Sequence, residues 1–295
     1  MRVFVTGATG FVGIPVVKEL ISAGHQVLGL TRSDVGAEML KIAGAEVHRG
    51  TLEDVESLKK GADLADAVIH LAFIHDFSKF KENCEVDGRA IEAMGAVLKG
   101  TGKPFIVTSG TAGLSLAGET ATEDYDISPS FRSPRISEQT ALALVNEGVS
   151  AAVVRLPQVH NTEKQGFVTL VIAAAKEKGV SAYIGSGRNL WSAAHVSDVA
   201  RLYRLALEKH EAGAKYHAVG EEGVPMKDIA EVIGQKLNLP VRSITPEESE
   251  AHFGWFSMFA GLSLPASSTL TREKLDWHPA GPGLLEDLGS LYKQS

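Results

Sequence analysis

Short apolar runs alternate with amphipathic stretches along most of the chain, and this alternation predicts strand followed by helix several times over. Arg2 to Val5, Gln26 to Leu30, Ala45 to Val47, Ala67 to Leu71, Lys103 to Thr108 and Ser150 to Arg155 read as strands, each short and apolar or β-branched. Between the first two, Phe11, Ile14, Val17, Leu20 and Ile21 fall on one helical face. Helical spacing is also predicted through Leu58, over Lys79 to Lys99 with a glycine at Gly88, and over Phe167 to Lys178. It recurs up to Glu208, with Asp198 as cap, and over Val224 to Leu237, where Pro225 suits a first turn. Lys215 to Val219 and Val241 to Ile244 add late strands. Apolar strands separated by helices belong in a parallel sheet covered on both faces. The predicted fold class is therefore α/β: a doubly wound, mostly parallel sheet with a smaller, interleaved C-terminal α/β lobe. The expected division is residues 1–160 for the sheet domain and 161–295 mainly for the substrate lobe, with 190–220 returning to the sheet and no Pro/Gly/Ser-rich linker between them.

The first strand hands over to the first helix through Thr6-Gly7-Ala8-Thr9-Gly10-Phe11-Val12-Gly13. In that context Gly7 allows a sharp turn, Gly10 lets backbone approach a pyrophosphate with no Cβ in the way, and Gly13 permits close packing of the helix. The helix start adds unpaired N–H groups and a partial positive charge. With a second strand after one helix, the unit predicts dinucleotide binding, and Thr6, Gly7, Thr9, Gly10, Phe11, Val12 and Gly13 are its candidate contacts. Thr31-Arg32-Ser33 follow the second strand, where an acidic residue would hold a ribose 2′-hydroxyl. An arginine with hydroxyl neighbours instead suits a 2′-phosphate, so NADP is favoured over NAD, and Asp34 is left to cap the next helix.

Composition narrows the partners. A chain of 295 residues has room for a dinucleotide domain of roughly 150 residues and a second lobe. Its 44% apolar and 22% charged content is that of a globular protein. A net charge of -7 without a basic stripe argues against nucleic acid. No apolar run approaches the roughly 20 residues that cross a bilayer, and the N-terminus reads as strand rather than signal peptide, so no membrane partner and a cytoplasmic location are expected. The single Cys84 cannot form an internal disulfide, and the scattered histidines, with no His-x-x-x-His pair and no Cys-x-x-Cys, predict no metal site.

The spacing Gly7-x-x-Gly10-x-x-Gly13, preceded by Thr6, resembles the short-chain dehydrogenase/reductase superfamily in its extended or atypical, NAD(P)-dependent epimerase/dehydratase-like branch. Arg155-Leu156-Pro157-Gln158-Val159-His160 is similar to that family's Arg-Pro-x-x-Val-Tyr-Gly turn, and Thr271 to Pro279 to its terminal Leu-Gly-Trp-x-Pro element, so the resemblance spans nearly the whole chain. It implies a Rossmann fold, nicotinamide chemistry on a small-molecule substrate, and a homodimer formed by paired helices. It further implies that Thr51 and Leu52 lie against adenine, although Thr51 replaces the usual Asp. Leu71, Ala72 and Phe73 would stand beside the nicotinamide ribose, and Pro157 near the nicotinamide.

At the reacting end the sequence departs from this pattern. The strand end Thr108-Ser109-Gly110-Thr111 corresponds to the one that carries a carbonyl-binding hydroxyl, but Gly110 occupies that position, leaving Ser109 or Thr111. Within Phe131 to Gln139, where relatives begin a helix with Tyr-x-x-x-Lys, Arg135 and Gln139 stand at those two places. Gln139 can hydrogen-bond a ribose hydroxyl, whereas Arg135, always protonated, is a poor proton shuttle but can polarise a carbonyl. The proton then falls to His75, Tyr125 or His160. His75 follows the fourth strand at the sheet's carboxyl edge, and the alternative is that His75 and Asp76 cap the next helix. Tyr125 sits in an acidic loop, Glu119 to Asp126, that either closes over the cleft or is solvated, and His160 faces cofactor or substrate unless it is a loop histidine. His195 is read as structural, and His252 to Gly261 as core, with the floor of an apolar pocket as the alternative. Three activities stay open: an NADP-dependent oxidoreductase acting on a small, partly apolar carbonyl or alcohol, a nucleotide-sugar epimerase or dehydratase, and a cofactor-sensing regulator without turnover.

Overall fold

Each early apolar run becomes a strand, and all but the edge strand over Glu46–Arg49 are largely buried. In a computed structural model of the chain, residues 1–115, 119–128 and 133–290 are described, so Phe131 and Arg132 lie outside the described residues. The first half runs β1 (Arg2–Thr6), α1 (Gly13–Ser22), β2 (Gln26–Thr31), α2 (Asp34–Ile42), β3 (Glu46–Arg49), α3 (Val55–Asp63), β4 (Ala67–His70), α4 (Phe80–Leu98), β5 (Phe105–Gly110), α5 (Ser137–Asn146) and β6 (Ala151–Leu156). The second half continues β7 (Gln158–His160), α6 (Val168–Lys178), β8 (Ser181–Ile184), β9 (Leu190–His195), α7 (Val196–Glu208), β10 (Lys215–His217), β11 (Glu221–Pro225), α8 (Met226–Leu237), β12 (Val241–Ile244), α9 (Ser249–Phe253), α10 (Ser257–Ala260), α11 (Thr269–Leu275) and α12 (Leu284–Ser290).

Seven strands form one parallel sheet in the order β10-β6-β5-β4-β1-β2-β3. Alternation along each strand feeds two cores. Val3, Val5, Ile69 and Ile106 pack with α1 and α7, while Phe4, Val68, Phe105 and Val107 pack with α3, α4 and α5. The strand order reverses direction between β1 and β4, which opens a crevice at their carboxyl ends.

The interleaving has its own pattern. Of residues 190–220, β10 joins the main sheet beside β6 and α7 packs on its face, but β9 lies in a separate sheet with order β11-β9-β7. A two-stranded pair, β12-β8, completes the second lobe. Its core gathers Val171, Trp191, Ile229, Ile233, Phe253, Phe256 and Leu288. The aromatic stretch from His252 thus divides: Phe253 and Phe256 are core, while Trp255 and Met258 are exposed. The cap of α7 differs from expectation. His195 occupies the cap, its side chain accepting from the Ser197 N–H, because Asp198 already lies within the first turn. Asp198 instead accepts the N–H groups of Ala280 and Gly281 and pairs with Arg201.

A buried arginine fixes the acidic loop. Arg155, fully buried at the end of β6, donates to both oxygens of Glu138 (2.9 and 2.5 Å), to the carbonyls of Glu123 (3.1 Å) and Tyr125 (2.7 Å), and to His217 Nε2 (3.1 Å). Burying a guanidinium is costly unless its donors are matched, and here they are matched by the loop itself. Glu123 also accepts from the backbone and hydroxyl of Thr271, and Lys215 pairs with Asp126. The loop from Glu119 to Asp126 is therefore pinned at the β6–β10 end of the sheet, and Tyr125 donates to Glu119 there, so it is not a cleft-closing proton donor.

His217 donates from Nδ1 to the Ser267 carbonyl (2.7 Å), which leaves Nε2 to accept from Arg155, and the ring is therefore neutral. Burial, reinforced by the Arg155 charge, pulls its pKa down to about 4 from 6.5. The unfolded chain binds this proton from about pH 6.5 downward, while the folded chain refuses it until about pH 4. Stability is accordingly expected to fall as pH drops through that window, with a slope from this residue approaching ~1.4 kcal/mol per pH unit. Urea unfolding across the window checks this, and His217→Gln, which keeps one donor and one acceptor, should flatten the slope by up to about one proton.

Candidate active site

The crevice between β1 and β4 is built from two loops in close contact. Gly7 has φ +66, and a Cβ there would meet Ala72 N at 2.7 Å, so only glycine lets the β1–α1 and β4–α4 loops touch. A Cβ on Gly13 would lie 2.0 Å from the Gly7 carbonyl oxygen. At Gly10, which is exposed, the nearest atom to an added Cβ is that same oxygen at 3.1 Å, with nothing else within 4 Å. The space over Gly10 is a cradle that a side chain would fill, and the α1 start beside it has no side-chain cap. These features fit a dinucleotide diphosphate. Thr6 differs from expectation: it is fully buried, so its hydroxyl pins the two loops together and does not face a ligand.

Beyond β2, Thr31 is buried and Arg32 exposed. Ser33 caps α2 by accepting the Gly36 N–H (3.0 Å), which keeps its hydroxyl proton available to a phosphate. Asp34, expected as that cap, instead pairs with Arg49 from the end of β3 at 2.5 Å. Thr51 is half-buried, but Leu52 packs its side chain into the core, leaving only its backbone for adenine.

A chain of buried hydrogen bonds runs from the glycine loop to Arg135. The Thr6 hydroxyl contacts His70 Nδ1 (2.8 Å), and His70 Nε2 contacts Asp87 Oδ1 (3.1 Å). From the other side Arg135 Nε donates to Ser137 Oγ (2.9 Å), and Ser137 donates to Asp87 Oδ2 (2.5 Å). Burial raises the Asp87 carboxyl, but the His70 hydrogen bond, the Arg135 charge and the Ser137 hydroxyl outweigh it and hold the group below its ordinary value. The carboxylate accepts at both oxygens, which fixes His70 as an Nε2 donor and leaves Nδ1 to accept from Thr6. Arg135 also donates to the Thr108 carbonyl (3.2 Å) and lies over the Phe73 ring at 4.5 Å.

The structure thus brings Arg135, Phe73 and His75 together. His75 is exposed, with its ring 5.5 Å from that of Phe73; partial burial and the Arg135 and Lys164 charges lower its pKa below 6.5. Neither His75 nor Asp76 caps α4, whose start at Lys79 has no side-chain cap; Asp76 accepts the Ser78 N–H and caps only the 3-10 turn Phe77–Lys79 before it. Ser109 follows directly on the carbonyl that Arg135 binds and is nearly buried; an added Cβ on the adjacent Gly110 would meet nothing closer than 3.7 Å. Thr111 turns toward the second lobe, 3.4 Å from Ser192. Gln139 is exposed, and Leu71, Ala72 and Pro157 are half-buried at the strand ends.

His160 is displaced from the role expected of it. It is fully buried, its Nδ1 lies 2.6 Å from Asp287, and its ring meets His195 at 5.8 Å, so it secures α12 against the small sheet and does not face the crevice. Cys84 is buried as well, with its thiol pushed up to about 11. The Tyr203 phenol bonds Thr108 Oγ1 (2.7 Å) inside the core, where burial raises its pKa, so it offers no cleft-facing acid.

Sequence reasoning missed Asp87, Ser137, Arg49 and Lys164. A signal for the first existed: Asn83 and Asp87 are polar residues spaced four apart on the apolar face of α4 that carries Cys84, Ile91 and Met94. Lys164 arrives from the second lobe, its Nζ 5.6 Å from the Phe11 ring in the glycine loop.

The family model for the NAD dependent epimerase/dehydratase family matches residues 3–220. The chain is 49% identical over 292 residues to the uncharacterized protein C2A9.02 of Schizosaccharomyces pombe, covering 98% of this chain and 99% of that protein. It is 28% identical over 240 residues to a sterol-4-alpha-carboxylate 3-dehydrogenase (decarboxylating) of Dictyostelium discoideum, covering 76% and 72% of the two chains. Among solved structures, the dTDP-glucose 4,6-dehydratase DesIV of Streptomyces venezuelae, with NAD and TYD bound, superposes with a TM-score of 0.77 at 18% identity, covering 98% of this chain and 96% of that one. That likeness shows the shared Rossmann fold.

Asp87→Ala, which strips a buried carboxylate from His70 and Ser137, is expected to destabilise the fold by about 3 kcal/mol or more. Asp87→Asn, which keeps an acceptor, should cost less. Urea unfolding of the two variants measures the difference.

Proposed function

The chain belongs to the NAD dependent epimerase/dehydratase family, and from that premise we propose that it is an NADP-dependent oxidoreductase acting on the carbonyl or alcohol of a small, largely apolar substrate. The observation that carries this reading is the convergence of a glycine-lined cradle and a fixed guanidinium on one crevice, joined through Asp87. Bound nicotinamide would supply or accept the hydride. The N–H groups of the Gly7 to Gly13 loop and the α1 start would hold its diphosphate, and Arg32 with the Ser33 hydroxyl would hold a 2′-phosphate. Thr51 and the Leu52 backbone would flank adenine, while Leu71, Ala72, Pro157 and Gln139 would line the ribose and nicotinamide end.

Arg135 takes the place where relatives carry a phenol, and its work is electrostatic. Its Nε and one Nη are held by Ser137 and Thr108, so the guanidinium is fixed before substrate arrives and can stabilise negative charge on the substrate oxygen. Ser109 or Thr111 would orient that oxygen. His75 moves the proton: a lowered pKa leaves it neutral near pH 7, ready to accept from an alcohol, and its protonated form returns the proton in reduction. A dehydrogenase relative whose name specifies a sterol supports apolar oxidoreductase chemistry here.

Arg32→Glu should weaken NADPH by about tenfold or more and NADH far less, because only the former places a phosphate against the new charge; fluorescence titration with both coenzymes decides, and equal effects would sink the NADP preference. For alcohol oxidation, kcat/KM should rise with pH with its midpoint below 6.5, since the His75 pKa is lowered from that value. His75→Ala should remove this limb from the pH profile. A protein that binds NADPH but consumes none across aldehydes, ketones and nucleotide sugars would be a sensor.

A further inference from the structure

Aromatic rings line the crevice from its reacting end to the surface. The run starts at Phe73 beneath Arg135, continues through His75 (5.5 Å) to Phe77 (6.2 Å), and Phe80 supports it from 5.7 Å behind Phe77. Phe77 then reaches across to the second lobe. It stacks on Trp255 with centroids 4.9 Å apart and planes inclined by 26°, and contacts Phe167 at 6.0 Å. Behind these, Phe256 and Phe259 stack on each other and each meets Phe167 at 5.6 Å.

The outer end of this wall is left in water. Trp255 is 52% exposed and Met258 68% exposed, one helical turn apart at the lip of the crevice. Large apolar side chains exposed side by side, continuous with a ring-lined path to a fixed cation, mark a binding surface rather than an unfinished core. Among the described residues, Arg135 stands at the inner end of the wall with His75 beside it, groups that can hold one carbonyl or hydroxyl oxygen.

We propose that the substrate carries a flat apolar ring system that stacks along this wall with its oxygen toward Arg135, and that the Phe77–Trp255 stack is the gate it passes. This rests on the oxidoreductase reading above. Ring faces favour flat partners in offset or edge-to-face contact, each pair contributing up to about tenfold in affinity beyond the area covered. A straight-chain substrate gains the area alone.

With NADPH as reductant, acetonaphthone and a straight-chain methyl ketone of the same carbon count are compared, with the polar ketone dihydroxyacetone as a third arm. The ring ketone should be favoured about tenfold or more in kcat/KM. Trp255→Ala should collapse that ratio mainly through KM, and Trp255→Phe should restore most of it. Because Trp191 and Trp277 are buried, acrylamide quenching reports Trp255, and the ring ketone should shield it in the unaltered protein. Equal rates for the two ketones, an unchanged ratio in Trp255→Ala, or preferred reduction of dihydroxyacetone would overturn this inference while leaving the oxidoreductase reading intact. Shielding that grows with protein concentration alone would assign the patch to a second copy of the chain and overturn it too. Failure to bind either nicotinamide coenzyme would remove both.

Discussion

A single buried carboxylate constrains this molecule more than any other group. Asp87 sits in the middle of α4, almost without exposure, and is held in its charged form by two donors from other parts of the chain, His70 and Ser137, and by the charge of Arg135. The cost of removing a carboxylate from water is offset only when both oxygens are matched, and this requirement sets the relative positions of β4, α4 and the start of α5. Thr6 joins the set through His70, so the glycine loop is held to the same group. The place where phosphate would bind and the guanidinium at the reacting end are parts of one hydrogen-bonded body.

That body explains why an arginine can stand where a phenol would be expected. A phenol must give or take a proton, whereas a guanidinium has only to be in place with its charge directed. Arg135 is set in place by Ser137, by the Thr108 carbonyl and by the face of Phe73. In the proposed function, acid–base chemistry is separated from electrostatic stabilisation and would fall to His75, whose lowered pKa suits it to accept a proton near neutrality. The phenol that lies nearby, Tyr203, is sealed in the core with its hydroxyl spent on Thr108.

The second lobe meets the sheet by two contrasting means. At the β6–β10 end the contact is polar: Arg155 binds Glu138, His217 and the carbonyls of the acidic loop, and Glu123 and His217 bond Thr271 and Ser267 in turn. At the crevice the contact is made of aromatic rings, with Phe77 against Trp255. A matched buried network is costly to open, because each lost partner leaves a buried polar group unpaired. Ring contacts at a wet edge carry no such penalty.

Much of this was legible in the order of residues. The parallel sheet follows from apolar runs and helical spacing, which act within a few residues of one another, and the glycine turn follows from the backbone conformation that Gly7 alone tolerates. The departures at Arg135 and Gln139 were visible too, as was the arginine after β2. What the chain order left open was the pairing of polar groups. His70, Ser137 and Thr6 reach Asp87 or its neighbour across separations of 17, 50 and 64 residues, and His160 finds Asp287 across 127. Local propensity carries no information at such distances, so a histidine bound for the cleft and one bound for the core look alike until packing chooses. Packing made that choice: it buried His160 against Asp287, tied Tyr125 to Glu119 in the pinned acidic loop, spent Thr6 on joining two loops, and left His75 beside Arg135 in the open crevice.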